Sequence, residues 1–133
     1  MSDAPVPANN RISVLVVDDS DVIRKTLRNF LKEEPAIKLL GEASNFAEAI
    51  SMSKALRPDV ILLDLHMPGD GSLNPEFVKA NLSKTRVLAM TLSSAYESEE
   101  EISRIAESLG VVVMLDKAKL NGELIPAILK TGN

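Results

Sequence analysis

The chain has 133 residues, 45% hydrophobic and 26% charged, with a net charge of −4. That suits one globular domain with a real core and excludes two ordinary ones. No cysteine is present, which removes disulfides, thiolate metal sites and cysteine nucleophiles together. Phe30, Phe46, Phe77 and Tyr96 are the only aromatic residues, and no long Lys/Arg run occurs. Base stacking, and direct binding to nucleic acid or an acidic membrane, are therefore not expected.

No basic-then-apolar signal pattern opens the chain, and no apolar run approaches the roughly 20 residues that span a bilayer. The expected location is cytoplasmic. Residues 1–10, with Pro5, Pro7 and no periodicity, read as a disordered leader to a single domain over 11–130. Ile12 to Val17 reads as a buried strand ending on Asp18-Asp19-Ser20. Val22, Ile23, Leu27, Phe30 and Leu31 recur near helical spacing, and the helix stops before Pro35. Ile37 to Leu40 is a short second strand. Ser44 or Asn45 can cap a helix that carries Phe46, Ala49, Ile50 and Leu56 and ends at Arg57-Pro58.

Val60 to Leu63 is a continuous apolar run that stops abruptly on Asp64, as befits a strand buried on both faces. Pro68 and Gly69 force a turn beyond it. Asn74-Pro75-Glu76 looks like the start of a short helix. Arg86 to Thr91 is the fourth strand. Ser98 with Glu101 fits a capping box for a helix bearing Ile102, Ile105, Ala106 and Leu109. Val111 to Leu115 is the fifth strand. A last helix carries Leu124, Ile125, Ile128 and Leu129, with Pro126 near its start or kinking it. This alternation predicts a flavodoxin-like α/β fold: a doubly wound, five-stranded parallel sheet in the order 2-1-3-4-5, with helices on both faces.

In such a sheet the strand ends share one rim. Strand one offers Asp18 and Asp19, strand three Asp64, strand four Thr91, and Lys117 follows strand five. Glu42, after strand two, does not fit the set. Each residue alone has a plain reading: an acid after a strand caps a helix, a threonine fills a strand, a lysine is a solvated charge. Gathered at one rim they mean more. Crowded acids repel and call for a cation, and Mg²⁺ takes one or two carboxylates with waters and phosphate oxygens. A lysine and a hydroxyl opposite it can hold the rest of a phosphoryl group on or beside Asp64.

His66 is the only histidine. Asp64, His66 and Gly69 form D-x-H-x-x-G, which resembles the cobalt-ligating motif of cobalamin-binding domains. Here the motif follows the third strand rather than the first, and the later glycine pair is missing. His66 is read instead as a loop residue whose carbonyl points inward and whose side chain borders the pocket.

The whole set resembles a response-regulator receiver domain of two-component signalling, over about residues 11–130. Val16 to Ser20 is similar to the family's acidic pair, and Leu62 to Pro68 to the segment holding its phospho-accepting aspartate. Thr91 and Lys117 match the switch hydroxyl and the phosphate-pairing lysine. The resemblance implies that Asp64 takes a phosphoryl group from a histidine kinase or phosphotransfer protein. It further implies that Asp19, Asp64 and the His66 carbonyl bind Mg²⁺ directly, with Asp18 acting through water. Movement of Thr91 would then reshape the surface around the helix after strand four, strand five and the last helix, for a downstream protein target.

Departures from the pattern bear on switching. Met114 stands three positions before Lys117, where an aromatic residue is usual. Leu92 follows Thr91 where a small residue is usual, and Ala118 follows Lys117 where proline is common. Thr91 and Lys117 stand further apart than expected, with the extra residues placed in Leu92 to Ser98, which leaves Ser93 or Ser94 as the less favoured candidates for the hydroxyl role. The expectation is a stand-alone receiver that is not an enzyme. The alternatives are a Mg²⁺-dependent phosphohydrolase with an aspartyl-phosphate intermediate, and a receiver-like module that binds partners without phosphate. The hydrolase is the less suited, because such enzymes carry D-x-D after their first strand and a cap insert, and this chain has D-D and no cap.

Overall fold

A computed structural model describes residues 11–66, 85–91, 100, 103–104, 107 and 110–131. The order is β1 (Ile12–Val17), α1 (Asp21–Lys32), β2 (Ile37–Ala43), α2 (Phe46–Leu56), β3 (Val60–Asp64), β4 (Arg86–Thr91), β5 (Val111–Asp116) and α3 (Leu120–Thr131). A 3-10 turn over Lys117–Lys119 leads into α3. The five strands form one sheet in the order β2-β1-β3-β4-β5, and every pairing is parallel. This is the expected flavodoxin-like arrangement. The leader, the Met67-Pro68 turn, the helix begun at Asn74-Pro75, the Leu92 to Ser98 segment and the Ser98/Glu101 cap lie outside the described residues, although Ser103, Arg104 and Glu107 are helical.

Alternation along the strands divides the core. Val14, Val16, Val60, Leu62, Leu88 and Met90 pack on one side with Leu27 and Leu31 of α1 and Leu124 and Ile128 of α3. Leu15, Val17, Ile61, Leu63, Val87 and Ala89 pack on the other with Ala49 of α2. Side chains point alternately to the two faces of a strand, so β3, flanked by β1 and β4, feeds both cores and is buried at all five positions. Full burial of one such aliphatic side chain is worth about 1.5–3 kcal/mol.

The helix starts are fixed by side chains. Ser20 Oγ accepts the Ile23 N–H at 3.2 Å and caps α1. Asn45, not Ser44, caps α2, accepting the Glu48 N–H at 2.8 Å. Glu48 reaches back to Ser44, taking its backbone N–H at 2.8 Å and its hydroxyl at 2.7 Å. At the far end Arg57 closes α2 in the left-handed conformation (φ 49°), its N–H donating to the Ser53 carbonyl at 3.0 Å, and Pro58 disfavours continuing the helix.

Two elements differ from expectation. β2 runs on to Ala43 instead of stopping at Leu40, with its register against β1 shifting between Val14–Leu39 and Leu15–Gly41. Leu40 is the extra residue of that bulge, and a side chain at Gly41 would run into Met52 of α2. The second is the last helix: of the two readings of Pro126, near the start or kinking the helix, the first is set aside, because Pro126 lies inside α3. An interior proline costs about 3 kcal/mol relative to alanine. Leu120, Leu124 and Ile128, all buried on one face, together contribute more than that cost and carry the helix through.

Candidate functional site

The register brings the candidate side chains to one rim. Val17 pairs with Leu63, Asp64 with Met90, and Thr91 with Asp116. Asp18, Asp64, Thr91 and Lys117 therefore emerge side by side at the carboxyl ends of β1, β3, β4 and β5. Ligands of open α/β sheets bind at this edge.

At the centre lies an ammonium between two carboxylates. Lys117 Nζ is 3.0 Å from Asp18 Oδ2 and 3.2 Å from Asp64 Oδ1. All three side chains are withdrawn from solvent: Lys117 is 8% exposed, Asp64 3% and Asp18 0%. Asp18 Oδ1 accepts the Ser20 N–H and Asp64 Oδ1 the His66 N–H, each at 2.9 Å. Burial pushes the Asp64 carboxyl above the ordinary aspartate range. The His66 N–H and Lys117 pull it down, and the Asp18 charge pushes it further up.

Asp18, the exposed Asp19 and Asp64 each offer one oxygen within 4.8 Å of the other two. Carboxylate oxygens without nitrogen or sulfur suit a hard divalent cation. Asp18 Oδ2 is buried and takes no aligned hydrogen bond, its counter-charge being the Lys117 ammonium. The donor set fits such an ion.

Two arrangements here escaped sequence reasoning. The first is that His66 Nε2 lies 2.7 Å from Thr91 Oγ1, so the imidazole engages the hydroxyl and does not merely border the pocket. The neighbouring register of β3 and β4 hints that the loop after Asp64 passes Thr91, but no sequence signal gives the ring's orientation. The second is the role of Glu42. It faces α1, where Arg28 Nε and Nη2 donate to it at 2.6 and 2.9 Å. Arg24 Nε lies 3.6 Å from the same carboxylate. Arg24 Nη1 also donates to the Asp18 carbonyl at 2.6 Å, and its Nη2 pairs with Asp21. Glu42 thus supports the loop that carries the acids without joining them. Met114 is 41% exposed on the edge strand β5, beside Ala89 of β4.

Comparison with known proteins shows the family and the fold. Residues 14–129 match the response regulator receiver domain. The chain is 33% identical over 121 residues to protein-glutamate methylesterase/protein-glutamine glutaminase 2 of Cereibacter sphaeroides, covering 90% of this chain and 33% of the relative. It thus spans about a third of the length of the methylesterases it matches. Among solved structures, the response regulator domain of Thermotoga maritima CheB superposes with a TM-score of 0.75 at 28% identity, over 92% of this chain and 97% of that one. A second, from the P1 domain of CheA3 in complex with CheY6 of R. sphaeroides, gives 0.76 at 26% identity, again over 92% and 97%.

Proposed function

The chain belongs to the response regulator receiver domain family of two-component signalling, and on that premise we propose that Asp64 is its phospho-accepting residue. The observation that carries the reading is the placement of Lys117 between Asp18 and Asp64, with Asp19 close by. The donor is a phosphohistidine on a histidine kinase or phosphotransfer protein. The complex of CheA3 P1 with CheY6, whose chain resembles this one, supports that choice. The same reading has the protein act in the cytoplasm and on a downstream protein. Among the described residues no helix is long and apolar enough to cross a membrane.

Asp64 Oδ1 is held by the His66 N–H and Lys117, which leaves Oδ2 as the attacking oxygen. An O–P bond forms from Oδ2 while the P–N bond breaks, its electron pair staying on the donor's imidazole nitrogen. Lys117 then pairs with an oxygen of the transferred group, and Thr91 can donate its hydroxyl proton to another. Asp18, Asp19 and Asp64, with the His66 carbonyl, are the groups that would hold Mg²⁺. Bound there, the ion would supply charge neutralisation of the acids and of the phosphoryl oxygens. The domain transfers no product onward to a small substrate in this reading, so it is a switch and not an enzyme.

Incubation with Mg²⁺ and a small phosphodonor, read by intact mass, tests this. One phosphate should be added to the native chain and none to Asp64→Asn. Repeated turnover of a phosphate ester would point to a hydrolase instead, and an adduct that persists in Asp64→Asn would reject the assignment.

A further inference from the structure

We infer that the His66 imidazole is a positioning residue that competes with the phosphoryl group for the Thr91 hydroxyl. The inference rests on the reading of Asp64 above and deepens it. Its basis is one contact, His66 Nε2 to Thr91 Oγ1 at 2.7 Å, a full-strength hydrogen bond by distance. Both side chains are partly buried, so water does not freely replace either partner.

Geometry makes the two residues hard to separate. The His66 N–H donates to Asp64 Oδ1 and the Leu65 N–H donates to the Met90 carbonyl at 3.1 Å. The first bond ties the His66 backbone to the Asp64 carboxylate, and the second ties the chain just before it to the strand bearing Thr91. A hydroxyl has one proton to give. Whichever of the two donates, the contact fixes where the hydroxyl sits, and to reach a phosphoryl oxygen Thr91 must leave the ring or share its orientation with it. The exchange therefore opposes phosphoryl retention by the strength of one hydrogen bond.

The composition of the site gives this bond its importance. Met114, on β5, offers a thioether, which is a weak acceptor and no donor. It cannot follow the hydroxyl by hydrogen bonding as an O–H-bearing ring could. The imidazole can, and when the hydroxyl leaves, its Nε2 loses a partner inside a partly buried pocket. The backbone at Leu65 and His66 thereby receives the signal that Met114 cannot carry.

Beryllofluoride with Mg²⁺, a stable stand-in for the phosphoryl group, tests the competition by titration. His66→Leu should bind it about twofold to tenfold more tightly than the native chain, the range expected for one net hydrogen bond. In a Thr91→Val background the same His66→Leu change should have no effect, because the coupling requires the hydroxyl. Equal or weaker binding by His66→Leu, or the same gain in the Thr91→Val background, would overturn the inference. A second measurement needs no variant at position 66. His66 is the single histidine, so its ring gives one unambiguous NMR signal. That signal should move on beryllofluoride addition in the native chain and move much less in Thr91→Val; equal movement in both would overturn the inference. Failure of the native chain to bind beryllofluoride at all would reject the Asp64 reading, and this inference with it.

Discussion

Lys117 and Asp18 form a buried ion pair: Nζ lies 3.0 Å from an Oδ2 that has no solvent exposure and no aligned hydrogen bond. Removing one partner of such a pair leaves the other charged and unsolvated, which is far costlier than the pair is beneficial. Lys117→Met keeps most of the stem and deletes the charge. It should lower stability by about 3 kcal/mol in metal-free urea denaturation, and Mg²⁺ should return part of the loss. An unchanged midpoint would show that the ammonium is not what balances Asp18.

Asp64→Asn should behave in the opposite sense. Burial raises the folded carboxyl pKa above its ordinary value. A raised value means that the stability this group contributes is fully present below the ordinary aspartate range. It is lost as pH rises through the folded value. Without metal, the melting temperature of Asp64→Asn should therefore exceed that of the native chain at neutral pH, and the gap should close on acidification. Mg²⁺ should narrow the gap at neutral pH by binding the native carboxylates. A gap independent of pH would mean that the carboxyl charge is not its cause.

Glu42 titrates the other way. Its hydrogen bond with Arg28 holds the carboxyl below the ordinary glutamate range. The associated stability is present above that range and is lost as pH falls through the folded value. Arg28 is 39% exposed, so solvent screens the pair, and Glu42→Gln should cost only about 0.5–1 kcal/mol at neutral pH. Chemical denaturation across pH and salt checks this: the difference should shrink in acid and in high salt.

Pro126 offers a stabilising change. It is exposed on α3, so Pro126→Ala removes no packing, and it restores an N–H that can bond the Gly122 carbonyl. Part of the gain is offset because proline also restricts the unfolded chain. A net rise of about 1–2 kcal/mol is expected, with slower amide exchange across Glu123 to Lys130. A fall in stability would show that the helix is built around the proline.

Much of the site was legible because a parallel sheet aligns strand ends, and abrupt endings are visible as letters. Val60 to Leu63 stopping on Asp64, and Val14 to Val17 stopping on Asp18, needed only the rule that these ends share an edge. Lys117 was reached by the same rule. What stayed hidden depends on rotation about single bonds or helix axes. The His66 ring reaches Thr91 only in one side-chain orientation. Glu42 meets Arg24 and Arg28 only because α1 turns both arginines toward β2. The length of β2 was missed because Gly41-Glu42-Ala43 lacks an alternating pattern, and an edge strand with a bulge does not require one. The interior place of Pro126 was left open between two readings because the anchoring leucines and Ile128 can outweigh a local preference.

The division of the core along β3 also limits what can happen to this stretch of chain. Val60 and Leu62 face one set of helices, Ile61 and Leu63 the other, and Asp64 follows directly. Inserting or deleting one residue here would exchange the two faces and replace the carboxylate at the rim by its neighbour. Substitutions in β3 can be graded by size, but changes of length cannot. The strand therefore works as a ruler for the site, and insertions should be tolerated in the connecting segments while being rejected between Val60 and Asp64.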